Sequence, residues 1–244
     1  MILRIEDVSK SFGSLKALDS VTMELEKGAI VGLIGPNGSG KTTLFNVIAG
    51  VFHADSGRVI LAGQDITHDS PDKIVKKGVA RTFQIPKPFA SLSVLQNVAI
   101  GATYGRGAYG DRLRAESKAR EVLSFAGLSG REETQANDLT LAELRRLEMA
   151  RALATEPSVL LLDEVMAGLN PSEVGKAIEL IQKTRSELGI TILVVEHVMQ
   201  AIMTLSDSVI VLNYGRRIAQ GTPSEIAHNR SVIEAYLGEE YVVS

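Results

Sequence analysis

The stretch Gly35-Pro36-Asn37-Gly38-Ser39-Gly40-Lys41-Thr42 decides the fold of this chain. It matches the pattern G-x-x-x-x-G-K-S/T, and its surroundings fit. The apolar run 29–34 (AIVGLI) before it reads as a strand buried on both faces, and residues 42–50 after it carry a helical pattern. Glycines let the backbone turn tightly, so that successive N–H groups point inward at phosphate oxygens, and the positive end of the following helix adds to that field. Lys41 has the reach for β- and γ-phosphates, the Thr42 hydroxyl can bind Mg2+, and Thr43 can support the phosphates from the first helical turn.

Working outward, residues 20–26 alternate apolar and polar, which reads as a half-exposed, antiparallel strand. The runs 158–162 and 190–195 read as further strands buried on both faces, as in a parallel sheet. Helical patterns occupy 141–155 and 172–188, and residues 207–220 read as a hairpin. Thr222-Pro223-Ser224-Glu225 has the form of a capping box. Residues 85–139 differ: prolines 86 and 88 and glycines 101, 105, 107 and 110 punctuate helical segments near 93–100 and 112–126, with 101–110 expected as a mobile loop. The expectation is an α/β fold, a P-loop NTPase (RecA-like) core with an antiparallel β subdomain and an inserted α-helical subdomain. Residues 1–84 and 156–244 would form the core and 85–155 the insertion.

Val159-Leu160-Leu161-Leu162-Asp163-Glu164 places two carboxylates at the end of an apolar strand, the end that faces the ligand crevice in open α/β sheets. Asp163 suits Mg2+, held directly or through water, because magnesium takes a few hard oxygen ligands and keeps several waters. Glu164, one residue on, suits the polarisation of an attacking water as general base. Taken alone, the pair could be a solvated acidic turn; after a phosphate loop, a carboxylate partner for Mg2+ is needed.

Composition narrows the field. The 26 basic and 29 acidic residues sum to −3, which argues against a nucleic-acid partner, since sequence-independent binding needs a basic face. With no cysteine, a disulfide scaffold, a thiol nucleophile and an iron–sulfur cluster are excluded. No apolar run approaches the roughly 18–20 residues that span a bilayer, and Glu6 and Asp7 stand where a signal peptide would be apolar. A membrane role therefore has to come through a partner.

A more particular set of residues lies between and beyond these motifs. Gln84 follows the run Val79–Phe83; Leu139-Thr140-Leu141-Ala142-Glu143 precedes the arginine-rich segment 145–153; Ala167-Gly168-Leu169-Asn170 follows the acidic pair; and His197 follows the strand Ile190–Val195. In this order the chain resembles, over nearly its whole length, the nucleotide-binding subunits of ATP-binding cassette (ABC) transporters. The resemblance implies ATP and Mg2+ as cofactors and a sandwich of two such subunits, each ATP lying between one phosphate loop and the other subunit's signature motif. It implies that Phe12 stacks on adenine, that Gln84 senses Mg2+ and water and moves with the membrane subunit, and that His197 hydrogen-bonds the γ-phosphate. Thr140 and Ala142 would represent the signature, usually Leu-Ser-Gly-Gly-Gln. Here Ala142 adds a Cβ where glycine permits closest approach and Glu143 adds negative charge near a polyanion, so slower hydrolysis is expected at the site this signature completes. Leu128-Ser129-Gly130-Arg131 looks superficially closer to the signature but lacks the arginine-rich helix after it. Asn170 stands where the family usually has Asp, and Val165 where it usually has Pro.

Arg81-Thr82-Phe83-Gln84, Phe89, Ser93-Val94-Leu95-Gln96-Asn97-Val98 and the ending 232–239 look like the ATPases of branched-chain amino acid importers. That implies transmembrane permease subunits as partners, a second ATPase subunit (identical or not), a periplasmic or surface substrate-binding protein reached indirectly, and a peripheral place on the cytoplasmic face of the membrane. An ATPase of a lipopolysaccharide-type exporter shares part of the pattern. A weakly hydrolysing regulatory subunit of a heterodimer is a further alternative, suggested by Ala142 and Glu143.

Overall fold

The computed structural model describes residues 1–237, so Gly238 and Glu239 of the family-like ending lie outside the described residues. In chain order the elements are β1 (Leu3–Phe12), β2 (Leu15–Leu25), β3 (Ile30–Ile34), α1 (Lys41–Ile48), β4 (Ser56–Leu61), β5 (Gln64–Asp65), α2 (Pro71–Lys77) and β6 (Val79–Arg81). They continue with α3 (Val94–Tyr104), α4 (Arg112–Phe125), α5 (Leu141–Leu153), β7 (Val159–Asp163), α6 (Pro171–Leu188), β8 (Thr191–Val195), α7 (Met199–Leu205), β9 (Ser208–Asn213), β10 (Arg216–Gly221), α8 (Pro223–Ala227) and α9 (Arg230–Leu237). The backbone of the described residues divides into two compact units, one of residues 1–71 and 191–237, the other of residues 72–190. The boundaries expected from sequence are 84/85 and 155/156. The second unit also takes in most of α2, together with β6, β7 and α6; β6 and β7 pair with each other, Val79 with Val159 through Arg81 with Leu161.

The first unit contains an antiparallel sheet in the order β2-β1-β4-β5. Its register explains the alternation at 20–26: Leu25 faces Leu3, Met23 faces Ile5 and Val21 faces Val8, and all six side chains are buried. In the same unit β3 runs parallel to both β8 and β9, and β10 closes on β9 as the expected hairpin. Every residue of β3 and β8 is buried, which is why both read as unbroken apolar runs. Helix α1 has eight residues and no side-chain cap at Gly40. A helix that short is marginal in isolation. Burial of Leu44, Phe45 and Ile48, worth roughly 1.5–3 kcal/mol per large apolar side chain, holds it.

The second unit is largely helical. Ser93 and Gln96 form a capping box on α3, Asp111 caps α4, and α4 buries Ala115, Ala119, Val122 and Leu123 along one stripe. The expected loop at 101–110 is shorter in the structure: residues 105–110 lie outside helix and strand, whereas 101–104 belong to α3. Helix α3 runs on to Tyr104, and a Cβ at Gly101 would stand 2.4 Å from the Arg151 carbonyl oxygen on α5, one at Gly105 2.3 Å from Thr155 Cα. These glycines let two segments approach closely. Among the described residues no helix is long and apolar enough to cross a membrane.

Candidate nucleotide site

In the first unit the site grows out of β3. Gly35 ends the buried strand at φ +150°, and a Cβ there would lie 2.1 Å from the Leu212 carbonyl oxygen and 2.6 Å from Ser39 Oγ. Gly40 stands at φ +107°, where a Cβ would meet the Ala17 carbonyl oxygen at 2.6 Å. The loop is thus wedged between backbone segments that only glycine admits. Its outer residues, Asn37 and Gly38, are exposed, whereas Ser39 is buried. Lys41 is buried too, and its ammonium donates to the carbonyls of Gly35 at 2.7 Å and Pro36 at 2.9 Å. Thr42 is exposed and Thr43 half-buried at the start of α1. The tip of the hairpin braces the loop: the Gly215 N–H donates to the Ser39 carbonyl at 3.0 Å.

Phe12, the last residue of β1, stays 43% exposed while it meets Phe52 edge to face at 5.2 Å. A ring with that much free surface can still stack on a base. His197 lies just past β8, exposed, after the buried Glu196.

In the second unit the acidic pair ends β7 as expected, but each carboxylate already has a partner that the sequence reading did not supply. Asp163 is buried and accepts from the Arg81 guanidinium at 2.7 Å, while the Asp163 N–H donates to the Thr82 hydroxyl at 3.1 Å. Glu164 sits at φ +50°, a backbone conformation that bulky residues seldom adopt and that concentrates at functional sites. The Gln84 amide donates to Glu164 Oε2 at 2.8 Å.

The segment after Gln84 is fastened by side chains not singled out from sequence. Arg145 on α5, itself buried, donates to the carbonyls of Gln84 at 2.7 Å, Phe83 at 3.2 Å and Ala167 at 3.4 Å, so it ties the glutamine's backbone to the loop beyond the acidic pair. One turn on, Glu148 accepts the Phe83 N–H at 3.1 Å; burial pushes its carboxyl above the ordinary range, against the pull of that N–H and of Arg145 and Arg151. Arg151 donates to the Lys87 carbonyl at 2.8 Å and lies over the Phe89 ring. Asn97, fully buried, exchanges hydrogen bonds with the Phe89 backbone at 2.9 and 3.0 Å. The signal was available: charged residues at 145, 148 and 151, three apart, lie along one stripe of a helix that carries many apolar residues.

Thr140 and Ala142 fall at the start of α5. Thr140 is the N-cap, and its hydroxyl accepts the Glu143 N–H at 3.3 Å and donates to Glu143 Oε2 at 3.0 Å. The Thr140 N–H donates to the same oxygen at 2.9 Å, and Ala142 is buried. The Thr140 backbone N–H, then its hydroxyl, then Arg131 at 2.8 Å hold the Glu143 carboxyl below its ordinary value. Leu128-Ser129-Gly130-Arg131, set aside as a signature candidate, therefore supplies the counter-charge for the signature's glutamate. Asn170 caps α6 through its Oδ1, which accepts the Glu173 N–H at 3.0 Å.

The donor set fits a nucleotide. Glycine-only close approaches shape the loop, an ammonium lies folded into it, and a hydroxyl stands at the helix start. Among the described residues no three His, Asp or Glu side chains cluster to hold a metal by themselves.

Comparison with known proteins gives the same picture. The ABC transporter family model matches residues 18–167, and the model of the branched-chain amino acid ATP-binding cassette transporters matches residues 216–242. The probable branched-chain amino acid transport ATP-binding protein LivG of Archaeoglobus fulgidus is 37% identical, over 98% of this chain and 96% of its own. The high-affinity branched-chain amino acid transport ATP-binding protein LivG of Escherichia coli is 38% identical over 98% of both chains. Among solved structures, a nucleotide-free ATP-binding cassette from an ABC transporter aligns with a TM-score of 0.88 at 34% identity, over 98% of this chain and 99% of that one. A dimeric post-hydrolysis cassette bound to ADP and Pi aligns with a TM-score of 0.80 at 26% identity, over 91% of this chain and 99% of that one. The chain belongs to the ABC transporter family, as an ATP-binding cassette of the branched-chain amino acid type.

Proposed function

We propose that this chain is the ATP-hydrolysing subunit of a prokaryotic transporter that imports branched-chain or related amino acids, peripheral on the cytoplasmic face of the membrane and docked on permease subunits. The observation that carries the reading is the match to branched-chain transport ATP-binding proteins across 98% of the chain, phosphate loop and final helices included. The same relatives favour import over an exporter of lipopolysaccharide type.

In this reading Lys41 exchanges the carbonyls of Gly35 and Pro36 for β- and γ-phosphate oxygens, the amides of residues 35–43 cradle the phosphates, and Phe12 stacks on adenine. Mg2+, when bound, neutralises charge developing on the phosphates. Thr42 and Asp163 would hold it, Asp163 directly or through water, with Arg81 on one oxygen of that carboxylate. Glu164 takes a proton from the attacking water once Gln84 releases it, and His197 donates to the γ-phosphate. Thr140 and Ala142 serve the nucleotide of a second ATPase subunit, and a substrate-binding protein delivers cargo on the far side. The test is uptake of labelled leucine, isoleucine and valine by cells lacking and regaining this chain. Loss and recovery of that uptake is expected; unchanged uptake of all three contradicts the cargo.

A further inference from the structure

The first residue of the phosphate loop is tied to the last described helix. The Gly35 N–H donates to the Tyr236 hydroxyl oxygen at 2.8 Å, across 201 positions of sequence. Gly35 cannot be held there by a side chain of its own, since a Cβ would strike the Leu212 carbonyl, and an unpaired N–H at a buried strand end is costly. Helix α9 is anchored elsewhere, by Val232, which is buried, and it faces the loop across a cavity of about 510 Å³ lined by Asn37, Ser39, Asn213, Ser231 and Glu234 among others. Tyr236 itself is 44% exposed, and its hydroxyl still meets the Gly35 N–H. Tyr236 also falls within residues 216–242, the part that marks the branched-chain type.

We infer that Tyr236 is a positioning residue for the phosphate loop: its hydroxyl holds Gly35, and with it the entry to the cradle, in the shape that binds ATP. The inference rests on the reading of residues 35–43 as the ATP site. Burial pushes the phenol above its ordinary value, against the pull of the Gly35 N–H, so the hydroxyl stays neutral at physiological pH. A phenylalanine ring would occupy the same place and lack only the acceptor. The effect belongs to nucleotide affinity, because a preorganised cradle is already paid for before ATP arrives, whereas the residues assigned to the water and the metal are untouched.

The experiment compares the wild type, Tyr236→Phe, Tyr214→Phe and Lys41→Ala, measuring ATP Kd on the purified chain and KM and kcat in the assembled transporter. Tyr214 borders the same cavity and is 85% exposed, so its variant controls for a lost phenol at that surface. Tyr236→Phe is expected to raise Kd and KM together by about 3- to 10-fold, the scale of one neutral hydrogen bond, with kcat within about 2-fold of wild type. Amide exchange at Gly35 should quicken in that variant, and Tyr214→Phe should match wild type. If wild type binds ATP, Lys41→Ala does not, and Tyr236→Phe binds as tightly as wild type, the inference is overturned while the ATP site stands. A fall in kcat with KM unchanged overturns it as well. Absence of ATP binding by wild type removes both.

Discussion

The amide nitrogen of Gln84 donates to Glu164 Oε2 at 2.8 Å, which links the glutamine that the family reading couples to the membrane subunit with the carboxylate assigned to the attacking water. Arg145 holds the backbone at the same glutamine, and Glu164 itself carries a left-handed φ. A carboxylate engaged by an amide is a poorer base until the amide leaves, so movement of the segment around Gln84 would gate the water chemistry. Glu164→Gln should keep ATP affinity within a few-fold of wild type and lower turnover by about 10²–10⁴, the usual worth of a general base. Parallel ATP-binding and steady-state ATPase measurements check it; near-normal turnover would take the base role from Glu164.

Two glycines of the loop should respond unequally. Gly35→Ala places a Cβ 2.1 Å from the Leu212 carbonyl oxygen, whereas a Cβ at Gly38 meets nothing within 4 Å and suffers only from its φ of +79°. The left-handed conformation alone costs about 1–2 kcal/mol, which for a chain of this size is a drop in Tm of roughly 2–8 °C. Gly35→Ala should fall further than Gly38→Ala in thermal unfolding and lose ATP affinity with it. Equal Tm values would mean that the close approach to Leu212 does not constrain the loop.

At the signature the glutamate's charge is compensated by Arg131 at 2.8 Å, and the Thr140 hydroxyl is engaged with Glu143. Leu141 and Ala142 then remain as the departures from the two glycines of the usual signature, and Ala142 is the buried one. Ala142→Gly should raise steady-state ATPase of the assembled transporter, by a few-fold at most because glycine also weakens the helix start. An unchanged or lower rate would count against the slow-signature reading.

Glu148 sets a pH dependence whose sign is fixed. Burial raises its carboxyl in the folded chain, so its contribution to stability is complete below the ordinary value of 4.5 and is lost as pH rises through the folded value. Glutamine keeps an acceptor for the Phe83 N–H and cannot ionise. Glu148→Gln should therefore melt above wild type at pH 8, with the gap closing as pH approaches 4.5. A gap that is negative at pH 8 or grows on acidification would show that Arg145 and Arg151 outweigh burial.

Much of this was legible in the sequence because it is local. The buried strands at 30–34, 159–163 and 191–195, the capping box at Thr222 and the hairpin at 208–221 follow from patterns a few residues long. Strands β1, β4, β5 and β6 and helices α2, α7 and α9 were missed: register shifts between Ile5 and Val8 and between Val8 and Lys10 break the alternation of β1, and the others are two to eight residues long, too few for periodicity to show. The loop glycines and acidic pair were found by spacing, but the pairings Arg81–Asp163, Arg131–Glu143 and Tyr236–Gly35 join residues 82, 12 and 201 positions apart, and no one-dimensional pattern encodes them. Gly101 was read as loop although α3 runs through it, because glycine marks loops and close packing alike.

The central claim is tested most directly by the affinity of the purified chain for ATP at millimolar nucleotide with Mg2+, beside Lys41→Ala. Saturable binding by wild type and its loss in the variant are expected, since the Lys41 ammonium lies folded within the loop at 2.7 Å from the Gly35 carbonyl. No detectable binding by wild type, or equal binding by Lys41→Ala, would contradict the account.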